Sequence, residues 1–228
     1  FHTGRTVVVV LNHEAPHPCM PEPGAVPEYW EEAKASLGRA DSILAEVIAS
    51  REQPVLTSRG DMFLTLTGSI VSQQISTKAA KSVWSRVEGL VGEVTPQSIL
   101  SHTHEELRGC GLSGRKAEYL HGIAEAWTNG YEDIRWEDLS DEEASERLVA
   151  LRGVGTWTAE MILIFALLRP DVFPIGDVGV VRAVEGLYND GRGMSTEELV
   201  GRAEQWRPWR TVATWYLWRS IDPEPVQY

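Results

Sequence analysis

Two stretches of the sequence have residue types and spacing that could do chemistry. In Leu148 to Leu167, LVALRGVGTWTAEMILIFAL, an amphipathic helix ends, Gly153-Val154-Gly155 turn the chain, and an apolar helix begins. Glycine admits positive φ and close approach of another backbone or a phosphate. The amides of Gly155, Thr156 and Trp157 would point outward from a helix start, where anions bind. An ordinary tight turn in a helical bundle is the competing reading, since short glycine motifs recur by chance. The second stretch is Asp171-Val-Phe-Pro-Ile-Gly-Asp177-Val, in which Pro174 and Gly176 stop regular structure and Asp177 stands where a new helix starts. Aspartate there is a good N-cap, contributing on the order of 1 kcal/mol. Capping needs one carboxylate oxygen, so the other could face a cleft.

Positioning these groups requires a scaffold, and almost all of it reads helical. Candidate helices fall at about 27–37, 41–50, 61–74, 77–91, 97–101, 104–110, 113–128, 141–151, 156–168, 178–188, 196–205 and 209–220, most with apolar residues at i, i+3, i+4 spacing such as Leu44, Val47 and Ile48. Ser140 with Glu143 and Ser195 with Glu198 are capping-box pairs that mark two of the starts. Thr6 to Leu11, a β-branched run, reads as one strand, and five prolines between Pro16 and Pro27 make an extended connector. The expected class is all-α with a minor N-terminal β element, and glycine-rich joints between short helices of this kind often place a ligand site between helical lobes. The expected division is 1–26 as strand and connector, 27–60 as helices packing on the C-terminal lobe, 61–170 as a lobe ending in the glycine hairpin, and 171–228 as the lobe carrying Asp177.

The chain of 228 residues carries 33 acidic and 21 basic side chains, a net charge of −12, which would ordinarily oppose a polyanionic partner. The excess is local. Residues 120–150 hold nine acidic and two basic side chains, while residues 68–119 hold five and six. An acidic helix face in one place is compatible with an anion bound elsewhere. Two cysteines, Cys19 and Cys110, are too few for a cysteine-only zinc or iron–sulfur site and suggest a reducing, cytoplasmic setting. The longest apolar run, Met161 to Leu168, is too short to span a bilayer.

Five segments in order carry a resemblance: FLTLTGSIVSQQIST (63–77), GLSGRKAEYL (111–120), the hairpin LRGVGTWTA, the acid in FPIGD, and WRPWRTVATWYLW near the end. The sequence resembles the helix-hairpin-helix (HhH-GPD) DNA glycosylases, and within them the 3-methyladenine DNA glycosylase II branch. The resemblance spans about Pro27 to Ser220. It implies two helical lobes with a cleft between them, base flipping, and hydrolysis of the N-glycosidic bond of alkylated bases such as 3-methyladenine and 7-methylguanine. Asp177 matches the catalytic aspartate, whose carboxylate would stabilise positive charge on the deoxyribose and orient water. Gln74, with Gln73 as competitor, matches the wedge that fills the gap left by the flipped nucleotide. Trp157 and Trp218 match aromatic pocket residues that would attract a cationic base, and Met161 stands where a further pocket aromatic is expected. Phosphate contacts are expected from the amides of Gly153, Gly155 and Thr156, with Lys78, Lys81, Arg115 and Lys116 nearby.

Relatives that also cut the strand carry a lysine at the place Trp157 occupies, so the resemblance implies a monofunctional enzyme without lyase activity. It further implies a monovalent cation (Na or K) on the backbone carbonyls of Val149, Leu151 and Val154, with no other cofactor and no iron–sulfur cluster. The expected partner is double-stranded DNA with damaged bases, such as nucleoid DNA in the cytoplasm, acted on by a monomer with no membrane association. Met161 and Val178 replace bulkier residues of some relatives and imply a wider pocket. The alternatives are a non-catalytic helix-hairpin-helix DNA-binding module, and a glycosylase of the same fold for mismatched or oxidised bases.

Overall fold

A computed structural model describes residues 20–222, and the strand expected at Thr6–Leu11 lies outside them. Among the described residues the regular structure is helical throughout: α1 (Trp30–Ala40), α2 (Ser42–Ser50), α3 (Met62–Ser72), α4 (Thr77–Val91), α5 (Pro96–Leu100), α6 (His104–Gly109), α7 (Gly114–Ala126), α8 (Asp141–Val149), α9 (Thr156–Phe165), α10 (Val178–Tyr188), α11 (Thr196–Glu204) and α12 (Arg210–Ile221). No helix among them is long and apolar enough to cross a membrane.

Helix starts follow local side-chain chemistry. Ser140 and Ser195 accept the amides of Glu143 and Glu198, whose carboxylates return to the cap amides, closing both boxes the sequence marks. Thr95 with Ser98 and Thr103 with Glu106 close two more. Asp41 does two jobs: one oxygen caps α2 at the amides of Ile43 and Leu44, and the other accepts from Trp206 Nε1 at 2.9 Å and Tyr188 Oη at 2.8 Å. Burial raises its carboxyl pKa, but these four hydrogen bonds outweigh burial and hold it below the usual carboxylate range.

Packing divides the helices into two sets. α1 and α2 lie against α12, which also carries α10, while α3, α4, α7, α8 and α9 pack in a second group around the hairpin. α3 and α9 are buried on nearly every face, as helices apolar all round must be. Two helix ends differ from the periodicity. The segment 113–128 turns from α7 into a π-helical loop at Trp127–Tyr131, where Gly130 takes φ +121°. α9 stops at Phe165 because Leu168 adopts φ +50° and the amide of Arg169 reaches back to the carbonyl of Leu163 at 2.8 Å.

Candidate active site

Asp177 begins α10. Its own amide donates to the carbonyl of Pro174 at 2.9 Å, closing the turn that Pro174 and Gly176 impose. Oδ1 caps α10 by accepting the amide of Val180 at 2.8 Å and also accepts Trp218 Nε1 at 2.9 Å. Oδ2 accepts Trp157 Nε1 at 2.8 Å. The carboxylate is 8% exposed, held by three donors and no basic side chain. Gly179 makes room for it, since a Cβ there would stand 3.0 Å from Oδ1.

Asp177 lines a cavity of about 720 Å³, of a size usual for a small-molecule site. The walls come from both helix sets: Gly68 and Ser72 of α3, Thr77 to Trp84 of α4, the hairpin with Trp157, and Gly176 to Gly179 at the start of α10. Around the hairpin, Gly153 takes φ +92°, and a Cβ there would lie 2.3 Å from the ring of Tyr119, so only glycine fits the turn. Gly155 caps α9 with extended backbone and no side-chain partner, and Gly155 and Thr156 are exposed, leaving amides open at a helix start.

Other expected site residues divide clearly. The Gln73 amide is committed inside the protein, donating to the Gly153 carbonyl at 3.0 Å and Thr158 Oγ1 at 2.9 Å. Gln74 is exposed, with φ +58° at the rim. Lys78, Lys81 and Arg115 are exposed. Lys116 is not among the outward cations: its ammonium donates to the carbonyls of Val71 and Gln73 at 2.7 Å each, closing the C-terminus of α3, and burial lowers its pKa. The expectations for Met161 and Trp218 as cavity walls need correction. Met161 is fully buried in the core, and Trp218, 4% exposed and stacked on Phe165 at 5.8 Å, serves the site as a donor to Asp177 rather than as lining. At the hairpin, Leu151 O accepts the amide of Val154 at 3.1 Å, whereas the carbonyls of Val149 and Val154 accept no backbone hydrogen bond outside the helices.

Two residues of the site, and one beside it, were not anticipated. Glu160, the only ionisable residue of α9, has its carboxyl pushed up to about 7 by burial and by the negative charge of Asp177. A lone carboxylate in TWTAEMILIF was a usable signal. Trp84 lines the cavity on the α4 face shared with Thr77 and Ala80, a spacing visible in the sequence. Arg59, in the loop before α3, lines it as well and has no periodic signal. No cluster of three or more His, Cys, Asp or Glu among the described residues could hold a metal ion.

The chain and its fold are similar to known proteins. Residues 67–208 match the model of the HhH-GPD superfamily base excision DNA repair proteins. The chain is 36% identical over 160 residues to DNA-3-methyladenine glycosylase 1 of Schizosaccharomyces pombe, covering 68% of this chain and 70% of that protein. It is 33% identical to the DNA-3-methyladenine glycosylase of Saccharomyces cerevisiae over 78% of this chain and 63% of that protein. Its fold superposes with a TM-score of 0.76 on the S. pombe 3-methyladenine DNA glycosylase solved in complex with abasic DNA, at 32% identity over 83% of this chain and 96% of that one.

Proposed function

The chain belongs to the HhH-GPD superfamily of base excision DNA repair proteins, and from that premise we propose that it is a monofunctional glycosylase that flips and hydrolytically excises alkylated bases from duplex DNA. The observation that carries this reading is the Asp177 carboxylate, pinned by two indole N–H groups and one backbone amide on the wall of an open cavity. Rupture of the C1′–N bond builds positive charge on the sugar. A carboxylate held in place stabilises that charge without reorganising, and it can orient or deprotonate the attacking water. Methylation at N3 or N7 of a purine makes the leaving base cationic, which both weakens the bond and favours contact with Trp157, an attraction of about 0.5–2 kcal/mol. Trp157 supplies no amine, so no Schiff base with the sugar forms and the strand stays intact.

In this reading DNA lies across the cavity mouth. The open amides of Gly155 and Thr156 take a phosphate, Lys78, Lys81 and Arg115 supply the cationic surface, and Gln74, exposed at the rim, is the wedge. The backbone carbonyls of Val149, Leu151 and Val154 would hold a monovalent cation; those of Val149 and Val154 accept no backbone hydrogen bond outside the helices among the described residues. That cation would supply positive charge beside the phosphate. The protein acts as a monomer.

The test is release of free base from duplexes carrying 3-methyladenine or 7-methylguanine, followed by chromatography, with strand integrity read before and after hot alkali. Base release with cleavage only after alkali is expected. Cleavage without alkali contradicts the monofunctional mechanism, and no release of any alkylated base contradicts the proposal.

A further inference from the structure

The end of the cavity away from the hairpin has no role in the scheme above. α3 runs from its Asp61 cap to Ser72, and the Gln73–Gln74 loop follows at once. The chain just before the cap therefore lies about one helix length, roughly 16 Å, from the loop at the mouth. Arg59 stands there. Its amide donates to the carbonyl of Phe165 at 2.9 Å, at the end of α9 opposite the hairpin, and the residue lines the same cavity as Asp177. Its half-buried guanidinium makes no hydrogen bond or ion pair with any described residue; Glu88 and Asp61 act on it only through space. Burial lowers its pKa against those two charges. Trp84, one turn before Glu88 on α4, lines the cavity too.

Five N–H donors with no acceptor among the described residues, on a half-buried side chain that lines the cavity, are open to a ligand. The DNA backbone is a poor source, because the hairpin amides and the rim loop that meet it lie at the other end of α3. An extruded base reaches inward from the mouth. We propose that Arg59 is a specificity-determining residue that hydrogen-bonds the acceptor edge of the extruded base, so that the site favours purines carrying O6 over adenine-type bases.

The discrimination follows from edge chemistry. Guanine presents two acceptors, N7 and O6, to which arginine is matched, whereas adenine presents its N6 amine as a donor beside N7. 7-Methylguanine keeps O6, and hypoxanthine keeps both acceptors. 3-Methyladenine turns an amine toward the guanidinium. This inference rests on the glycosylase reading.

The experiment compares wild type, Arg59→Met and Arg59→Lys in kcat/KM on duplexes carrying 7-methylguanine, hypoxanthine or 3-methyladenine, with affinity for an abasic duplex measured alongside. A contact to O6, paired with N7 in hypoxanthine and single in 7-methylguanine, predicts that Arg59→Met loses about 5- to 150-fold on hypoxanthine and a smaller factor on 7-methylguanine. Release of 3-methyladenine is expected to hold or rise, Arg59→Lys to fall between, and abasic DNA, which has every phosphate but no base, to bind as before. A uniform loss on all three bases with weakened abasic binding would make Arg59 a phosphate contact and overturn the inference while leaving the glycosylase reading standing. Unchanged ratios would overturn it in the same way. A wild type that releases none of the three bases would sink both.

Discussion

Replacing Glu160 with glutamine should stabilise the protein at alkaline pH and leave it nearly unchanged in acid. Glu160 sits in an otherwise apolar helix with no hydrogen-bond partner among the described residues, and burial together with Asp177 lifts its carboxyl from 4.5 to about 7. The folded protein therefore keeps this proton to higher pH than the unfolded chain does. Its contribution is complete below about pH 4.5, is lost as pH rises toward 7, and is constant above. The full shift would correspond to about 3 kcal/mol at 1.36 kcal/mol per pH unit; Glu160 is only partly buried, and water screening reduces this to about 2 kcal/mol. Glutamine mimics the neutral form at every pH. Thermal unfolding at pH 5, 6, 7 and 8 should show the variant gaining on wild type through that range, reaching a melting temperature about 4–8 °C higher at pH 8. A difference that is the same at pH 5 and pH 8, or a variant less stable than wild type at pH 8, would refute the reasoning.

Two further substitutions probe how the site is held. Trp157→Phe removes the donor to Asp177 Oδ2, and a hydrogen bond to a charged group of about 1.5–3 kcal/mol predicts base release slowed roughly 10- to 100-fold in single-turnover assays with little change in melting; an unchanged rate would deny Trp157 this part in orienting the carboxylate. Lys116→Met removes two charge-assisted contacts at the end of α3, and should cost about 2 kcal/mol in urea unfolding while leaving the salt slope of DNA binding unchanged. A shallower slope with intact stability would restore Lys116 to the phosphate contacts.

Helix positions were legible wherever capping chemistry is local. Ser140, Ser195 and Asp177 each announce a start that depends on residues two or three positions away, so the sequence carries the whole interaction. Ends were less legible, because the π-helical turn at Trp127 and the stop at Phe165 depend on left-handed or irregular backbone that periodicity does not encode. The cap at Asp177 and its place on a cavity wall followed from its position between Pro174, Gly176 and a new apolar period. The aromatic pocket did not. α9 is apolar on nearly every face, so its pattern cannot say that Trp157 meets the cavity while Met161, one turn on, enters the core. Lys116 and Gln73 turn inward for a related reason. A polar side chain next to a glycine hairpin can reach DNA or reach the hairpin's own carbonyls, and only the three-dimensional path of α3 and α7 decides which. Arg59 joins the site through its approach to the end of α9, a contact between segments about a hundred residues apart that no local signal carries.

The central claim is that Asp177 supplies the charge stabilisation and water activation that break the glycosidic bond. Asp177→Asn keeps the size of the side chain and an oxygen to accept the Val180 amide, while removing the negative charge. Single-turnover release of 3-methyladenine from duplex DNA should fall on the order of 10²- to 10⁴-fold, with abasic-duplex affinity within a few fold of wild type. An Asp177→Asn protein that binds DNA and releases the base at the wild-type rate would contradict the account.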